Sequence, residues 1–307
     1  MFIRFFYTKN NTNKNDNLCK NIDVNDNYNT DYLANITEKC GFINNEYFFD
    51  KYISIDTESA VKIQINDIIK CDMIFNKLII CLHGWGVDSS CYVSMCKELS
   101  KYGFVICPDL FGFGKSEEPY TDFTVDDYAD VILRLTNLFS FNELILVGHS
   151  FGCRIISKLL CHPKLRENVS KIILTGAAGL KPRFSIKKYI KIHRYKYFKK
   201  KCKNNNKYTK KLLKCGSNDY KNIKSEIMRR TFLNVVNEDL KFCYARIDCK
   251  VLLVFGTKDK ETPMYMAKRL NKLIKNSALV KIKSSGHFSF IDSPVEFYEY
   301  IKKFLSF

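Results

Sequence analysis

The chain has 307 residues, 46% of them hydrophobic, and a formal net charge of +18. This length and apolar content allow one large domain or two modest ones and exclude a chain that is disordered throughout. The sequence contains no run of eighteen uncharged apolar residues, which excludes a membrane-spanning helix. The apolar start, residues 1–7, is too short for the hydrophobic segment of a signal peptide, so the sequence predicts a soluble, cytoplasmic protein.

The thirteen cysteines do not indicate disulfides, because the chain is neither short nor visibly secreted. No Cys-x-x-Cys pair occurs, so the sequence predicts no zinc site, no other metal and no cofactor. Several cysteines, such as Cys81, Cys107 and Cys153, lie in apolar runs where the thiol behaves as a small hydrophobe. We expect reduced thiols.

The positive charge is confined to one segment. Residues 181–230 hold nineteen Lys or Arg and only two acids, whereas the other 257 residues hold 31 basic and 30 acidic groups. The basic excess therefore belongs to an insertion, and the rest is an ordinary globular domain.

In chain order, residues 1–45 are rich in Asn, Asp and Lys and lack an apolar period, so we expect a mostly disordered extension. Residues 46–180 are predicted to form the first part of a folded core. It begins with a hairpin, because residues 52–56 and 61–65 alternate as two antiparallel strands do.

After the hairpin, short apolar runs alternate with helix-length spacers, which is typical of parallel strands buried on both faces. The predicted strands are Leu78–Leu82, Phe104–Cys107, Leu144–Val147, Ile172–Leu174, Val251–Phe255 and Leu279–Ile282. The predicted helices are Ser90–Ser100, Thr124–Leu138, Cys153–Leu160, Tyr265–Ile274 and Val295–Phe304. This alternation predicts a doubly wound, mostly parallel α/β core, with its second part over residues 246–307 and the rhythm interrupted at 181–245.

A Gly-x-Ser-x-Gly motif lies between a predicted buried strand and a predicted helix. Such a nucleophile elbow turns so tightly that side chains in place of Gly148 and Gly152 would clash. The turn presents Ser150 at the edge of the sheet, in front of a helix N-terminus that favours negative charge. The motif predicts Ser150 as a nucleophile.

A serine hydroxyl needs a base, which is usually histidine. The chain has five, His83, His149, His162, His193 and His287. His149 is expected to point away from the serine beside it, His162 ends the following helix, and His193 lies in the basic segment. His287 follows the last predicted strand, at the carboxyl end where α/β sites assemble, and is the predicted base.

The third member should be an acid that sets the imidazole tautomer, in the chain order Ser, acid, His. Asp259 stands just past the penultimate strand and fits this position. Asp248 precedes that strand and would lie at the wrong end of the sheet, and Glu261 is the alternative.

Attack on a carbonyl creates an oxyanion, which needs backbone N–H donors aimed at it. We predict the amide of Phe151 as one donor, because it directly follows the nucleophile. The other is predicted to be the amide of Trp85, in a loop after an early strand where two glycines allow close backbone approach. The Trp85 ring could also line an acyl pocket, and His83 is expected to brace this loop.

Four motifs together resemble the α/β-hydrolase superfamily. They are Leu82-His-Gly-Trp-Gly86, Pro108-Asp-Leu-Phe-Gly-Phe-Gly-Lys-Ser116, the elbow, and Gly286-His-Phe288. The phrase Gly256-Thr-Lys-Asp-Lys-Glu-Thr-Pro263 and the closing Gly-His-Phe are similar to bacterial-type capped carboxylesterases, the family that includes the pimeloyl-ester hydrolase of biotin synthesis.

The resemblance implies an eight-stranded α/β-hydrolase core with a helical cap inserted at 181–245. It implies a serine carboxylesterase acting on a small-molecule ester or thioester through an acyl-enzyme. Relatives with aspartate in the elbow, the haloalkane dehalogenases and epoxide hydrolases, are excluded by Ser150. Carbon–carbon bond hydrolases and hydroxynitrile lyases keep the serine and stay open, as does a non-catalytic hydrolase-fold binding protein.

The cap is predicted to contain a basic helix around 187–197 and a second helix, Ser225–Leu240, that brings Met228 and Phe232 toward the substrate pocket. Phe288, beside the predicted base, is assigned to the same pocket. The basic helix either presents a solvated face, which we favour, or contacts anionic membrane lipid, which would make the protein a lipid- or lysophospholipid-directed hydrolase. A nucleic-acid partner is not expected, because no recognition motif accompanies the charge. The oligomeric state is left open.

Overall fold

The computed structural model describes residues 1–8, 41–43, 46–52, 74–182, 190, 193, 194, 197, 220 and 222–306. Nine strands of this part form a single sheet. They are β1 (Phe2–Thr8), β2 (Gly41–Ile43), β3 (Glu46–Tyr52), β4 (Ile74–Leu82), β5 (Phe104–Pro108), β6 (Ser140–His149), β7 (Val169–Thr175), β8 (Lys250–Gly256) and β9 (Ser277–Ile282). Their order across the sheet is β2-β3-β1-β5-β4-β6-β7-β8-β9.

The six strands β4 to β9 run parallel, whereas β1, β2 and β3 add an antiparallel edge. Each predicted buried run lies inside one of the parallel strands. The run in β4 shows why: Leu78 and Ile80 pack into one core cluster, and Ile79 packs into the other. A strand covered on both faces has no need of polar residues, so its sequence is continuously apolar.

Helices of the described residues cover both faces of the sheet. They are α1 (Val93–Leu99), preceded by a 3₁₀ turn (Ser89–Tyr92), α2 (Val125–Thr136), α3 (Phe151–Leu159), α4 (Pro163–Asn168), α5 (Glu226–Asn237), α6 (Lys241–Ala245), α7 (Met264–Leu273), α8 (Ser289–Asp292) and α9 (Pro294–Ser306). The buried apolar side chains of α1, α8 and α9 belong to one core cluster, and most of those of α2 to α7 belong to the other. The predicted doubly wound α/β class is confirmed.

The start of α2 shows local sequence dictating local structure. The Thr124 hydroxyl accepts a hydrogen bond from the Asp127 amide at 3.3 Å, and the Asp127 carboxylate accepts one from the Thr124 amide at 2.6 Å. This reciprocal pair satisfies two backbone donors that a helix start leaves without partners. The predicted helix start at Thr124 is therefore correct.

The predicted disordered extension over 1–45 is wrong at its ends, because residues 2–8 and 41–43 are strands of the sheet. Ile3 and Phe5 are fully buried, and the Phe2 carbonyl accepts a hydrogen bond from the Asp109 amide at 2.8 Å. Six apolar residues are too few for a signal peptide but enough for a strand. The sheet consequently has nine described strands, where eight were expected. Residues 9–40 lie outside the described residues, as does most of the predicted hairpin at 52–65.

The second predicted cap helix exists as α5, followed by α6, between β7 and β8. Its N-cap is Ser225, whose hydroxyl accepts a hydrogen bond from the Met228 amide at 3.3 Å. The other predicted cap helix, around 187–197, lies outside the described residues except for isolated positions. Within the described part of the chain, no helix combines the length and apolarity needed to cross a membrane.

Candidate active site

Ser150 occupies the sharp turn between β6 and α3. We call α3 (Phe151–Leu159) the elbow helix. The Ser150 φ of 49° and ψ of −102° lie in a region that non-glycine residues rarely adopt, so the backbone is strained at this residue. The turn is held from below by the Ser150 amide, which donates to the Thr175 carbonyl at 3.0 Å. Strain at one residue, stabilised by its surroundings, places the hydroxyl at the carboxyl edge of the parallel strands.

The two elbow glycines allow close packing around this turn. A Cβ at Gly148 would lie 2.7 Å from the Ile156 side chain, and one at Gly152 would lie 2.2 Å from the Leu82 carbonyl oxygen. The elbow helix therefore approaches β4 more closely than any side chain at 152 would permit.

Gly152→Ala is expected to destabilise the fold by about 3 kcal/mol or more, the upper end of overpacking costs, because the new methyl group meets rigid backbone. Gly86→Ala is the matched control: its φ of 77° is left-handed, but a Cβ there meets nothing within 4 Å. It should cost only the backbone strain of about 1–2 kcal/mol. Thermal unfolding of both variants measures the difference, and a Gly152→Ala protein as stable as Gly86→Ala would contradict the close packing.

His287 and Asp259 meet at the same edge of the sheet. The loop after β9 carries His287, and the loop after β8 carries Asp259. The His287 Nδ1 lies 2.8 Å from the Asp259 Oδ2, a hydrogen bond in which the imidazole N–H donates. The Asp259 side chain is fully buried, whereas the His287 side chain is 15% exposed. The carboxylate thus fixes the orientation of the ring. The other ring nitrogen, Nε2, is not engaged by Asp259.

Asp259 is held as an anion by its surroundings. Burial alone would raise the pKa of this carboxyl, but the hydrogen bond and charge of His287, together with donors from Thr262, lower it below its ordinary value. The Thr262 hydroxyl donates to Oδ2 at 2.7 Å, and the amides of Glu261 and Thr262 donate to Oδ1 at 2.8 and 2.9 Å.

The two other acids considered at this point are elsewhere. Glu261 contributes its backbone amide to Asp259, and its side chain is exposed. Asp248 precedes β8 at the opposite end of the sheet, 3.7 Å from Arg166.

The His287 loop is tied down by a contact that the sequence did not indicate. The Gly286 amide donates to the Asp292 carboxylate at 2.7 Å, which joins the loop to the end of α8. This contact fixes the backbone directly before the imidazole. The sequence signal, an acid five residues after His287, is too common in protein sequences to be distinctive.

His149, inside the elbow motif, was expected to point away from the serine. Its ring is buried and lies 4.6 Å from the His287 ring, centroid to centroid. Its Nδ1 is 2.8 Å from the Thr175 hydroxyl. Burial, reinforced by the nearby His287, lowers the pKa of His149 well below its ordinary value, so the ring is neutral. A neutral second imidazole therefore supports the His287 ring. The sequence did not indicate this contact, because one buried histidine in an apolar run has no distinctive spacing.

His83 braces the loop that contains Trp85. Its Nε2 accepts a hydrogen bond from the Leu110 amide at 2.9 Å, and its Nδ1 donates to the Gly84 carbonyl at 2.8 Å. These two bonds define one neutral tautomer, and burial lowers the pKa of the imidazole accordingly. The loops after β4 and β5 are thereby joined, which holds the Trp85 backbone in place.

Aromatic rings pack against the Trp85 ring of this loop. The Trp85 ring lies 5.4 Å from the Phe151 ring and 5.1 Å from the Phe232 ring of α5. Met228, also on α5, is buried in the same core cluster. Phe288 is placed elsewhere: it lies 4.7 Å from the His149 ring and packs against the core cluster on the other face of the sheet. The structure therefore groups Trp85, Met228 and Phe232 but does not bring Phe288 to them.

A strained serine in an elbow, a buried aspartate bonded to a histidine, and a parallel sheet that presents all three at one edge define the hydrolase class of α/β proteins. The family model described as alpha/beta hydrolase fold matches residues 77–199 and 179–294. The chain belongs to the α/β-hydrolase family.

Relatives and solved structures agree with this assignment. The AB hydrolase superfamily protein YisY of Bacillus subtilis is 28% identical over 274 residues, which are 81% of this chain and 97% of that protein. A 2-hydroxymuconate semialdehyde hydrolase of a Pseudomonas species is 33% identical over 104 residues, 32% of this chain and 36% of that enzyme. An esterase from Exiguobacterium antarcticum superposes with a TM-score of 0.60 at 22% identity, covering 75% of this chain and 92% of the esterase.

Proposed function

We propose that the protein is a serine hydrolase that cleaves carboxylic esters or thioesters through an acyl-enzyme, with Ser150, His287 and Asp259 as its catalytic triad. The observation that carries the proposal is the 2.8 Å hydrogen bond between His287 and the buried Asp259, at the edge of the sheet where the strained elbow presents Ser150. A serine is activated when an imidazole that is hydrogen-bonded to a buried carboxylate takes its proton.

In the first half of the reaction, the Ser150 Oγ attacks the substrate carbonyl carbon while the His287 Nε2 takes the hydroxyl proton. The imidazolium that forms is stabilised by Asp259. The carbonyl oxygen becomes an oxyanion, which the amides of Phe151 and Trp85 stabilise. The tetrahedral intermediate then collapses: the bond to the alcohol or thiol breaks, and His287 returns the proton to that leaving group.

In the second half, a water molecule attacks the acyl-enzyme by the same route. His287 takes a proton from the water, the oxyanion forms again, and the bond to the Ser150 Oγ breaks. The acid is released, and the serine recovers its proton. Each of the two halves needs a single base and an oxyanion site, for which we propose His287 and the amides of Phe151 and Trp85.

The test is covalent labelling by a fluorophosphonate probe, which reacts with an activated serine. Wild-type protein should be labelled, and Ser150→Ala should lose the label entirely because the attacking oxygen is gone. Ser306→Ala is the control, since that hydroxyl donates to the Lys302 carbonyl in the last helix and should not affect labelling. A folded Ser150→Ala protein that still takes up the label would disprove the assignment.

Turnover of p-nitrophenyl esters separates this proposal from the alternatives. A non-catalytic binding protein of the same fold would neither be labelled nor hydrolyse the ester. Carbon–carbon bond hydrolases and hydroxynitrile lyases would be distinguished by their preference for other bonds. The lipid-directed alternative stays a prediction, because most of the basic segment lies outside the described residues.

A further inference from the structure

The cap helix Glu226–Asn237 is fastened to the elbow helix at its C-terminal end. Arg154 of the elbow helix is buried, and its Nη1 donates to the Val235 carbonyl at 2.8 Å and to the Glu238 carbonyl at 3.2 Å. The last carbonyls of a helix lack partners within the helix, and a cation there is favourable. One turn further along, the Lys158 ammonium lies 2.6 Å from the Glu238 carboxylate. A buried cation and an ion pair thus hold this end.

The opposite flank of the cap helix is fastened to the loop before α2. The Phe123 backbone amide donates to the Thr231 hydroxyl at 2.9 Å, and the side-chain Nδ2 of Asn234 donates to the Phe123 carbonyl at 3.2 Å. Arg230 lies 3.4 Å from the Asp122 carboxylate. The helix is therefore held along its length, and moving it away would leave the Arg154 guanidinium buried without acceptors, which is costly.

Two side chains of this fastened helix face the site. Phe232 is 8% exposed, and its ring lies 5.1 Å from the Trp85 ring, which in turn lies 5.4 Å from the Phe151 ring. Phe151 is the residue after Ser150. Met228 is 4% exposed and covers Gly112, where a Cβ would lie 2.3 Å from its methyl carbon. A continuous aromatic wall runs from the cap helix to the residue beside the nucleophile.

The position of the base decides which part of a substrate meets this wall. The leaving group must face His287, which protonates it. Phe288, next to His287, packs against one core cluster, whereas Trp85 packs against the other, on the opposite face of the sheet, and the Phe232 ring contacts Trp85. With the carbonyl oxygen at the Phe151 and Trp85 amides, the remaining substituent of the carbonyl carbon is the acyl chain. An acyl chain directed away from His287 would extend toward the Trp85 and Phe232 rings.

We propose that Phe232 is a specificity-determining residue that limits the acyl group to short chains, because its ring closes the acyl side of the pocket and its helix cannot retreat. The inference rests on the proposed function. The wild-type protein should hydrolyse p-nitrophenyl acetate and butyrate with the highest kcat/KM and should lose activity steeply from hexanoate onward.

The experiment compares p-nitrophenyl esters from acetate to palmitate for wild type, Phe232→Ala and Phe232→Leu. Removing the ring should raise kcat/KM for octanoate by at least about tenfold, the scale on which a pocket discriminates by one or two methylenes. The kcat/KM for acetate should stay within about threefold of wild type. For octanoate, the kcat/KM of Phe232→Leu should lie between those of wild type and Phe232→Ala. Leu233→Ala, at an adjacent residue that is 37% exposed, is the control and should keep the wild-type profile.

The inference is overturned if wild type prefers octanoate or longer esters, or if the ring-deleted protein keeps the wild-type profile. Should Phe232→Ala fail to fold, Phe232→Leu decides by the same comparison. The fluorophosphonate label keeps the two proposals apart. If Ser150 is labelled and the chain-length profile does not move, only the role of Phe232 fails. If wild type is not labelled, the proposed function itself fails.

Discussion

His287→Ala is expected to lower kcat by about 10⁴- to 10⁶-fold, the scale seen when a serine hydrolase loses its base. Without the imidazole, the Ser150 hydroxyl must be deprotonated by solvent, and no group returns a proton to the leaving alcohol. KM should change little, because the imidazole contributes to the transition state rather than to binding the ester.

His162→Ala is a suitable control, since this histidine is more exposed than His287 and lies after the elbow helix, 3.6 Å from Asp130. Its removal should leave kcat within about twofold, as for a surface substitution far from the chemistry. Steady-state kinetics with p-nitrophenyl acetate measures both variants. A His287→Ala enzyme that retains more than a tenth of the wild-type kcat would rule this histidine out as the base.

Asp259→Asn is expected to lower kcat by about 10⁴-fold at neutral pH, with the shape of the site preserved. The carboxylate accepts the His287 Nδ1 proton at 2.8 Å, and a carboxamide can turn its own N–H toward the ring. The imidazole would then carry its proton on Nε2 and could not accept one from Ser150. The same replacement removes an anion whose pKa lies below its ordinary value. The folded state therefore loses a stabilising charge that is present above about pH 4 and disappears only on acidification.

Two matched variants locate the acid. Glu261→Gln tests the neighbouring carboxylate, and Asp248→Asn tests one at the other end of β8; each should retain kcat within about threefold. If Glu261→Gln causes the large loss and Asp259→Asn does not, the acid has been assigned to the wrong residue. Thermal unfolding at pH 7 and pH 3 checks the electrostatic part, since the stability difference between wild type and Asp259→Asn should shrink at the lower pH.

Much of the fold could be predicted from the sequence, because the parallel strands are buried on both faces and their sequences are therefore unbroken apolar runs. The Thr124 capping box and the chain order of Ser150, Asp259 and His287 were legible for similar reasons: each depends on residue types at short, fixed spacing or on their place after a strand. The N-terminal strand was missed because the following residues are rich in Asn, Asp and Lys, and the whole segment was therefore predicted to be disordered despite its six apolar residues. Its burial depends on β5, more than ninety residues away.

The interactions that complete the site were not legible in this way. His149 against His287, Asp292 on the Gly286 amide, and Arg154 under the cap helix each join segments that no local pattern connects. Such contacts depend on which loops the sheet brings to the same edge. One loop contains several residues that could make the contact, and only the distances show which of them does.

By itself, the sequence determined that the chain forms a doubly wound α/β core with an elbow serine and a basic insertion, since burial and turn sterics act on neighbouring residues and leave a local record. Only the tertiary structure decided which buried acid bonds the histidine, that a second imidazole supports it, and that the cap helix is fastened by Arg154. Those outcomes follow from packing between elements far apart in the chain, where hydrogen-bond distances of about 3 Å select one partner among many.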